Sequence, residues 1–319
     1  MGKIAFIFPG QGSQKVGMGL ELAEEFEICK KIFESADRRL QYPLSELIFS
    51  GPAEKLKKTE NTQPALLTTS IAILSVLNEH GVQADFVAGH SLGEYSALVA
   101  AEAMSFEDAV YAVRKRGLFM EEAVPSGEGA MAAILGMERE ALEKVAEEVS
   151  ANGDLVQLAN LNCPGQIAIS GTASGVQKAS ELAKERGARR AIPLEVSGPF
   201  HSELMKPAAE RMKSVLEEIT IRDAAIPVIA NVTAEKMTAA DEIRLKLIEQ
   251  IYSPVLWEDT VRKLLELHVD TFVEIGPGSV LSGLVRKVNR QVKTYAVSDK
   301  ESLLAVVNAC KRGESHAAK

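Results

Sequence analysis

Val87-Ala88-Gly89-His90-Ser91-Leu92-Gly93-Glu94-Tyr95 is the stretch on which the fold turns. Apolar residues from Phe86 to Ala88 read as a buried strand that stops at Gly89. Beyond Gly93 the apolar residues Leu92, Tyr95, Leu98 and Val99 recur at helical spacing. A Gly-x-Ser-x-Gly set between a strand and a helix has the form of a nucleophile elbow: the tight turn lifts the serine hydroxyl above the sheet, at a helix N-terminus. Gly89 and Gly93 let the backbone pass where a β-carbon would obstruct it. Ser91 would serve equally well as a plain helix cap. The pentapeptide alone leaves both readings open.

Upstream, Ile4 to Phe8 reads as a first buried strand that runs into Gly10-Gln11-Gly12-Ser13-Gln14. A dinucleotide fingerprint would need a third glycine where Lys15 stands, and no Gly-Lys-Ser/Thr is present for a P-loop. Such a loop can instead aim backbone N–H groups at a developing negative charge. Helical patterns follow over Leu20 to Leu40 and Pro64 to His80. After the elbow, Ser105-Phe106-Glu107-Asp108 has capping-box-like spacing and opens a helix that runs to about Glu122. At about 100° per residue, Ala109, Ala112, Val113 and Met120 share an apolar face with Arg116 in its middle. Arg114, Lys115, Glu107 and Glu121 fall on the side expected to meet solvent. A guanidinium in an apolar stripe needs an anionic partner. Either an internal carboxylate or an anionic substrate would satisfy it.

Turn-forming residues interrupt the pattern at Pro125-Ser126-Gly127-Glu128-Gly129 and again at Ser197-Gly198-Pro199. Between them the predicted order is strand 130–135, helix 139–150, strand 155–159, a Cys163-Pro164-Gly165 turn, strand 166–170, helix 173–186 and strand 190–196. That βαββαβ order is the ferredoxin-like split unit. Residues 128–197 are therefore expected to form a small domain inserted into a larger one made of residues 1–127 and 198–319. Phe200-His201-Ser202 follows directly, with His201 in a loop or at a helix start. Pro227 to Asn231 reads as a strand and Glu242 to Tyr252 as a helix, with Gln250 on its apolar side beside Ile243, Leu247 and Ile251. A buried amide needs hydrogen-bonding partners and can help shape a site. Val269 to Ile275 and Thr294 to Val297 complete the strands, and the tail from Gly313 is expected to fray. Strands alternating with helices in the larger domain predict an α/β fold with a mostly parallel sheet covered on both faces.

The composition narrows the functional classes. The 319 residues carry 36 basic and 44 acidic side chains, a net charge of −8, which argues against a nucleic-acid surface. Arg186, Arg189 and Arg190 form a local basic cluster that reads as solvated surface, though an acidic partner could use it. Cys29, Cys163 and Cys310 show no pairing pattern, as expected of reduced thiols in a cytoplasmic protein. No CxxC or HExxH motif supports a metal site. The N-terminal apolar run is too short for a signal peptide. The uncharged stretch from Asn61 to Asn78 contains Gln63, three threonines and two serines, so it reads as a buried helix and not a membrane span. Asn231-Val232-Thr233 reads as a chance glycosylation sequon.

Taken together, several motifs resemble those of the malonyl-CoA:acyl carrier protein transacylases over nearly the whole chain. They are Gly10-Gln11-Gly12-Ser13-Gln14, Gly89-His90-Ser91-Leu92-Gly93-Glu94, Arg116-Gly117, Asn162-Cys163-Pro164-Gly165-Gln166, Phe200-His201-Ser202 and Glu274-Ile275-Gly276-Pro277-Gly278. The resemblance implies an α/β-hydrolase-like large domain and the ferredoxin-like insert. It implies Ser91 as nucleophile, His201 as base, Gln250 beside that pair, and Arg116 as clamp for the malonyl carboxylate. Backbone N–H groups of Gln11 and Leu92 would form the oxyanion hole. Cys163 departs from the serine common in the family, and Phe200 matches members that take malonyl over bulkier extenders.

The implied reaction is ping-pong transfer of malonyl from malonyl-CoA to the phosphopantetheine thiol of an acyl carrier protein, for fatty acid synthesis, without metal or cofactor. A monomer is expected. No triad carboxylate is identifiable, so a backbone carbonyl or an amide near Gln250 is expected to orient the imidazole. On the elbow alone, a serine hydrolase such as a thioesterase or lipase fits as well. A non-catalytic scaffold for acyl carriers stands as a further alternative.

Overall fold

The computed structural model describes residues 2–317, with side chains through Cys310, so the expected fraying from Gly313 lies outside the described side chains. Its strands are β1 (Lys3–Phe8), β2 (Phe86–Gly89), β3 (Gly129–Leu135), β4 (Val156–Cys163), β5 (Gln166–Thr172), β6 (Arg190–Pro193), β7 (Val228–Ile229), β8 (Lys236–Met237), β9 (Val269–Ile275) and β10 (Lys293–Val297). They build two sheets, ordered β10-β9-β1-β2-β7-β8 and β4-β5-β3-β6.

In the larger sheet every pairing is parallel except β7 with β8. Side chains alternate across β1: Phe6 and Phe8 join one buried cluster, whereas Ala5 and Ile7 join another that contains Trp257. Both faces are thus covered, which is why its central strands read as unbroken apolar runs. The second sheet is antiparallel, with a core of its own around Ile134, Leu142, Val145, Leu158 and Ile169. The helices Arg139–Ala151 and Ala173–Glu185 supply the other wall of that core. Its strand order is that of the ferredoxin-like βαββαβ unit. The fold is the mixed α/β architecture that the sequence predicts.

Several local expectations needed correction. The single helical pattern over Leu20 to Leu40 is two helices, Leu20–Glu25 and Glu27–Leu40, because Phe26 adopts extended backbone and packs against the core. The pattern beginning at Pro64 belongs to a longer helix, Thr59–Glu79, with the proline inside it. Proline brings no N–H to the Glu60 carbonyl one turn back. That carbonyl accepts a hydrogen bond from Arg114 Nη1 at 2.8 Å instead. Arg114, expected in solvent, is held by this bond, by the Asn61 side chain and by the Glu60 carboxylate at 3.4 Å.

The strand predicted over 190–196 ends at Pro193, and Leu194 to Val196 wall a cleft instead. The strand predicted over 227–231 is only Val228–Ile229, and Asn231 begins the turn that follows. Ser105 caps the helix Phe106–Glu122 as its spacing predicts, accepting the Asp108 N–H at 3.1 Å.

The elbow lies where β2 meets the helix Gly93–Ala100. A β-carbon on Gly89 would lie 1.9 Å from the Gly93 carbonyl, and one on Gly93 would lie 2.2 Å from the Phe8 carbonyl oxygen. Both obstacles are backbone, so neither can swing aside. Gly93→Ala is expected to cost about 3 kcal/mol or more of stability, and a lowered denaturation midpoint in urea is the measurement. An unchanged midpoint would mean that the helix can back away from β1.

Candidate active site

Ser91 sits at the C-terminal end of a central parallel strand with φ of 53°, the left-handed region that L residues rarely occupy. Its Oγ lies 2.8 Å from His201 Nε2. His201 also has left-handed backbone, with φ of 59°, and is followed by the short 3-10 turn Glu203–Met205. Holding two such residues costs on the order of 1–3 kcal/mol each. The surrounding bonds maintain them. Asn231 Oδ1 accepts the Ser91 N–H at 2.8 Å while its Nδ2 donates to the Gly89 carbonyl at 2.7 Å. Ser202 Oγ donates to the Pro199 carbonyl at 2.6 Å and tightens the histidine loop.

The imidazole is oriented by a main-chain group. His201 Nδ1 lies 2.9 Å from the Gln250 carbonyl oxygen, which has no hydrogen to give, so Nδ1 donates and Nε2 is left to accept. Burial, aided by the nearby Arg116 charge, pushes this imidazole down from 6.5 to about 3. It is therefore neutral, and able to take a proton, across the physiological range. The unfolded chain would protonate the same group near 6.5, so it makes the folded state lose stability as pH falls from that value toward about 3. In a ring-carbon NMR titration, the His201 resonance is expected to stay still between pH 5 and 8. A midpoint near 6.5 would contradict the burial.

Arg116 is 1% exposed. Nη1 donates to Gln63 Oε1 at 2.8 Å, and Nη2 donates to Gln250 Oε1 at 2.8 Å and to Ser91 Oγ at 3.2 Å. The Tyr95 ring centroid is 5.9 Å from its guanidinium carbon. Its Nε–H has no hydrogen-bond partner. Among the described residues no carboxylate pairs with it directly.

Ser91, His201 and Arg116 open onto one cleft of about 390 Å³, which Gln11, Leu92 and Gln63 also line. Neither the Gln11 nor the Leu92 backbone N–H makes a hydrogen bond among the described residues. Gln250 lies behind the cleft, completely buried, and touches Ser91, His201 and Arg116 at once. All six candidate residues thus converge from segments scattered over 240 positions of the chain.

Three further residues belong to the cluster. Gln63 holds the guanidinium from the helix Thr59–Glu79, and its own Nε2 has only the Met120 sulfur, at 3.7 Å. An amide on the buried side of a helix is the signal that singles out Gln250, and it applies equally to Gln63. Asn231, read from sequence as a chance sequon, holds the elbow. Glu94 is 1% exposed; Oε1 accepts the Asn231 N–H at 3.0 Å and Oε2 accepts Gln250 Nε2 at 2.5 Å. Burial pushes its carboxyl up to about 7, against the pull of the Asn231 N–H, Gln250 and Arg116. No sequence pattern places a carboxylate beside Ser91 except its position three residues on.

His90 is half-buried beside Ser91, with its Nε2 2.8 Å from Asn162 Oδ1 on β4, so the second sheet is fastened to the elbow. Burial lowers the His90 pKa. No cluster of three or more metal-ligating side chains occurs among the described residues. Among them, too, no helix is long and apolar enough to cross a membrane.

A serine on a strained elbow, its histidine and a buried cation in one cleft are the parts of an acyl-transferring enzyme, and the chain belongs to the acyl transferase family, whose domain matches residues 5–316. Within that family it is similar to malonyl CoA-acyl carrier protein transacylases. The one from Bacillus subtilis (strain 168) is 64% identical over 317 residues, covering 99% of this chain and 100% of the relative. Its counterpart from Staphylococcus aureus (strain MRSA252) is 46% identical over 303 residues, 95% of this chain and 98% of the relative.

Solved structures agree. An acyl carrier protein S-malonyltransferase from Vibrio cholerae superposes with a TM-score of 0.93 at 45% identity, covering 95% of this chain and 99% of the other. A malonyl-transacylase in complex with its type II PKS acyl-carrier protein gives 0.94 at 43% identity, covering 96% and 99%.

Proposed function

We propose that this chain transfers malonyl from malonyl-CoA to the phosphopantetheine thiol of an acyl carrier protein through a malonyl ester on Ser91, supplying fatty acid synthesis. The observation that carries this reading is Arg116: a buried guanidinium with no direct carboxylate and an unused N–H, 3.2 Å from the nucleophile. A cation held in a dry wall without an anion is a site for one.

Serine is a weak nucleophile until a base takes its proton. Ser91 Oγ attacks the thioester carbon as its proton passes to His201 Nε2. Charge gathers on the carbonyl oxygen, opposite the Gln11 and Leu92 N–H groups. The C–S bond breaks, and His201 returns the proton to the departing CoA thiolate. The carrier's thiol then repeats the sequence in reverse: it gives its proton to His201, attacks the ester and restores the Ser91 hydroxyl. No metal or cofactor enters either half.

A bidentate pair between Arg116 and the malonyl carboxylate fixes the acyl group and selects it over acetyl. Malonyl-CoA mixed briefly with the protein is expected to give a malonyl adduct by intact-protein mass spectrometry, discharged by holo acyl carrier protein. No adduct and no released malonate would sink the reading. Malonate released at the same rate without a carrier would make the chain a hydrolase.

A further inference from the structure

Arg116 and Glu94 are both 1% exposed, and a single amide separates them. Gln250 Nε2 donates to Glu94 Oε2 at 2.5 Å, while its Oε1 accepts from Arg116 Nη2 at 2.8 Å. Before substrate binds, the pocket therefore holds one guanidinium and one carboxylate, the anion at one remove. A malonyl carboxylate on Arg116 would bring a second anion to the same buried cation. Two carboxylates that share one site do not both stay ionised. The substrate's carboxylate would have the direct pair, which leaves Glu94 as the group that gives way.

We propose that Glu94 takes up one proton from solvent when malonyl, but not acetyl, is loaded onto Ser91, so that the buried pocket stays electrically neutral. This rests on the function proposed above. The transfer itself leaves no proton over, because the Ser91 hydroxyl proton ends on the CoA thiol by way of His201; the proton on Glu94 is the only net uptake. Gln250 can serve both states. Its Nε2 donates to Glu94 Oε2, an oxygen that can accept in the ionised and the neutral carboxyl alike, so the amide keeps its bonds to Arg116 and to the Ser91 carbonyl.

The surroundings of Glu94 offer few competing titrations. The helix Gly93–Ala100 packs against β1, β2 and the helices Thr59–Glu79 and Phe106–Glu122. β2 carries no charge, and Lys3 on β1 lies over the Phe86 ring at 5.3 Å. The helix Thr59–Glu79 has only Glu60, paired with Arg114, and Glu79 at its ends. Phe106–Glu122 contributes Arg116 itself, and its own helix contributes Tyr95, which burial pushes up. Asn231 and Gln250 are neutral amides. His201 starts from about 3 and stays neutral in the range of interest.

The test is proton uptake in weakly buffered solution with an indicator dye, near pH 7.5, alongside the amount of adduct on Ser91. Wild type is expected to take up a proton per malonyl loaded, approaching one, and none per acetyl. Glu94→Gln is expected to load malonyl without uptake. A second measurement needs no variant: the malonyl-to-acetyl ratio of kcat/KM in wild type should fall as pH rises above about 7, by up to about tenfold per unit.

Malonyl loading without uptake, an equal uptake in Glu94→Gln, or a flat ratio from pH 6 to 9 would each overturn the proposal. Absence of any malonyl adduct on wild type would instead refute the underlying function. The two failures are therefore distinguishable.

Discussion

Ser91→Ala is expected to abolish malonyl loading, lowering transfer by about 10⁴-fold or more. Ser91 Oγ donates to His201 Nε2 at 2.8 Å and accepts from Arg116 Nη2 at 3.2 Å, so the hydroxyl is held by a base on one side and a cation on the other. Removing it deletes the atom that carries the acyl group and leaves the rest of the cleft in place. Malonyl-CoA should still bind to the variant, which separates loss of chemistry from loss of the pocket. Intact-mass analysis for the adduct and equilibrium binding of malonyl-CoA measure the two parts. A persistent adduct in the variant would move the nucleophile elsewhere.

Arg116→Ala is expected to reverse the acyl preference. Deleting the guanidinium removes a charged hydrogen-bonding pair worth up to about 3 kcal/mol, or roughly 150-fold in the malonyl-to-acetyl ratio of kcat/KM. Acetyl needs no such partner, and the vacated space no longer presents it with an unpaired cation. Arg116→Lys should recover only part of the preference, since an ammonium offers a point charge where the guanidinium offers a planar fork. Loading measured separately with malonyl-CoA and acetyl-CoA decides the matter. If the ratio is unchanged in Arg116→Ala, the carboxylate is recognised elsewhere. The same variant should also be less stable, because Gln63 Oε1 and Gln250 Oε1 lose their donor in a buried setting.

What the sequence disclosed follows a physical rule: features carried by near neighbours were legible, and those carried by distant pairs were not. The elbow is local, so its strand, turn and helix could be read from nine residues. Arg116 betrayed itself because a charge on an apolar face is anomalous within a single helix. Gln250 did so for the same reason, yet its work of joining Ser91, Arg116 and Glu94 depends on residues 134 to 159 positions away.

Glu94 and Asn231 gave no local anomaly. A glutamate in the first turn of a helix is ordinary, and Asn231 reads as the last residue of a strand and the first of a chance sequon. Their meaning arises only when the sheet brings β2 and β7 side by side. The break at Phe26 and the truncation of β6 at Pro193 leave no mark in the sequence, because helix and strand periodicities continue across them. Arg114 reads as solvent-exposed for the converse reason: its binding partner is a carbonyl left free by a proline in another helix, 54 residues away.

That bond between Arg114 and the Glu60 carbonyl works as a cross-brace. The helix Thr59–Glu79 carries Gln63 and the helix Phe106–Glu122 carries Arg116, so the two jaws that grip the guanidinium's surroundings are bolted together one turn from the grip itself. Arg114 and Arg116 stand two positions apart on the same helix; one is joinery and the other is the cation proposed to hold the acyl carboxylate. The spacing between the jaws is thereby a property of the frame. An acceptor pocket shaped for a different acid would have to be recut with the brace in mind, because any change that shifts one helix carries the other along.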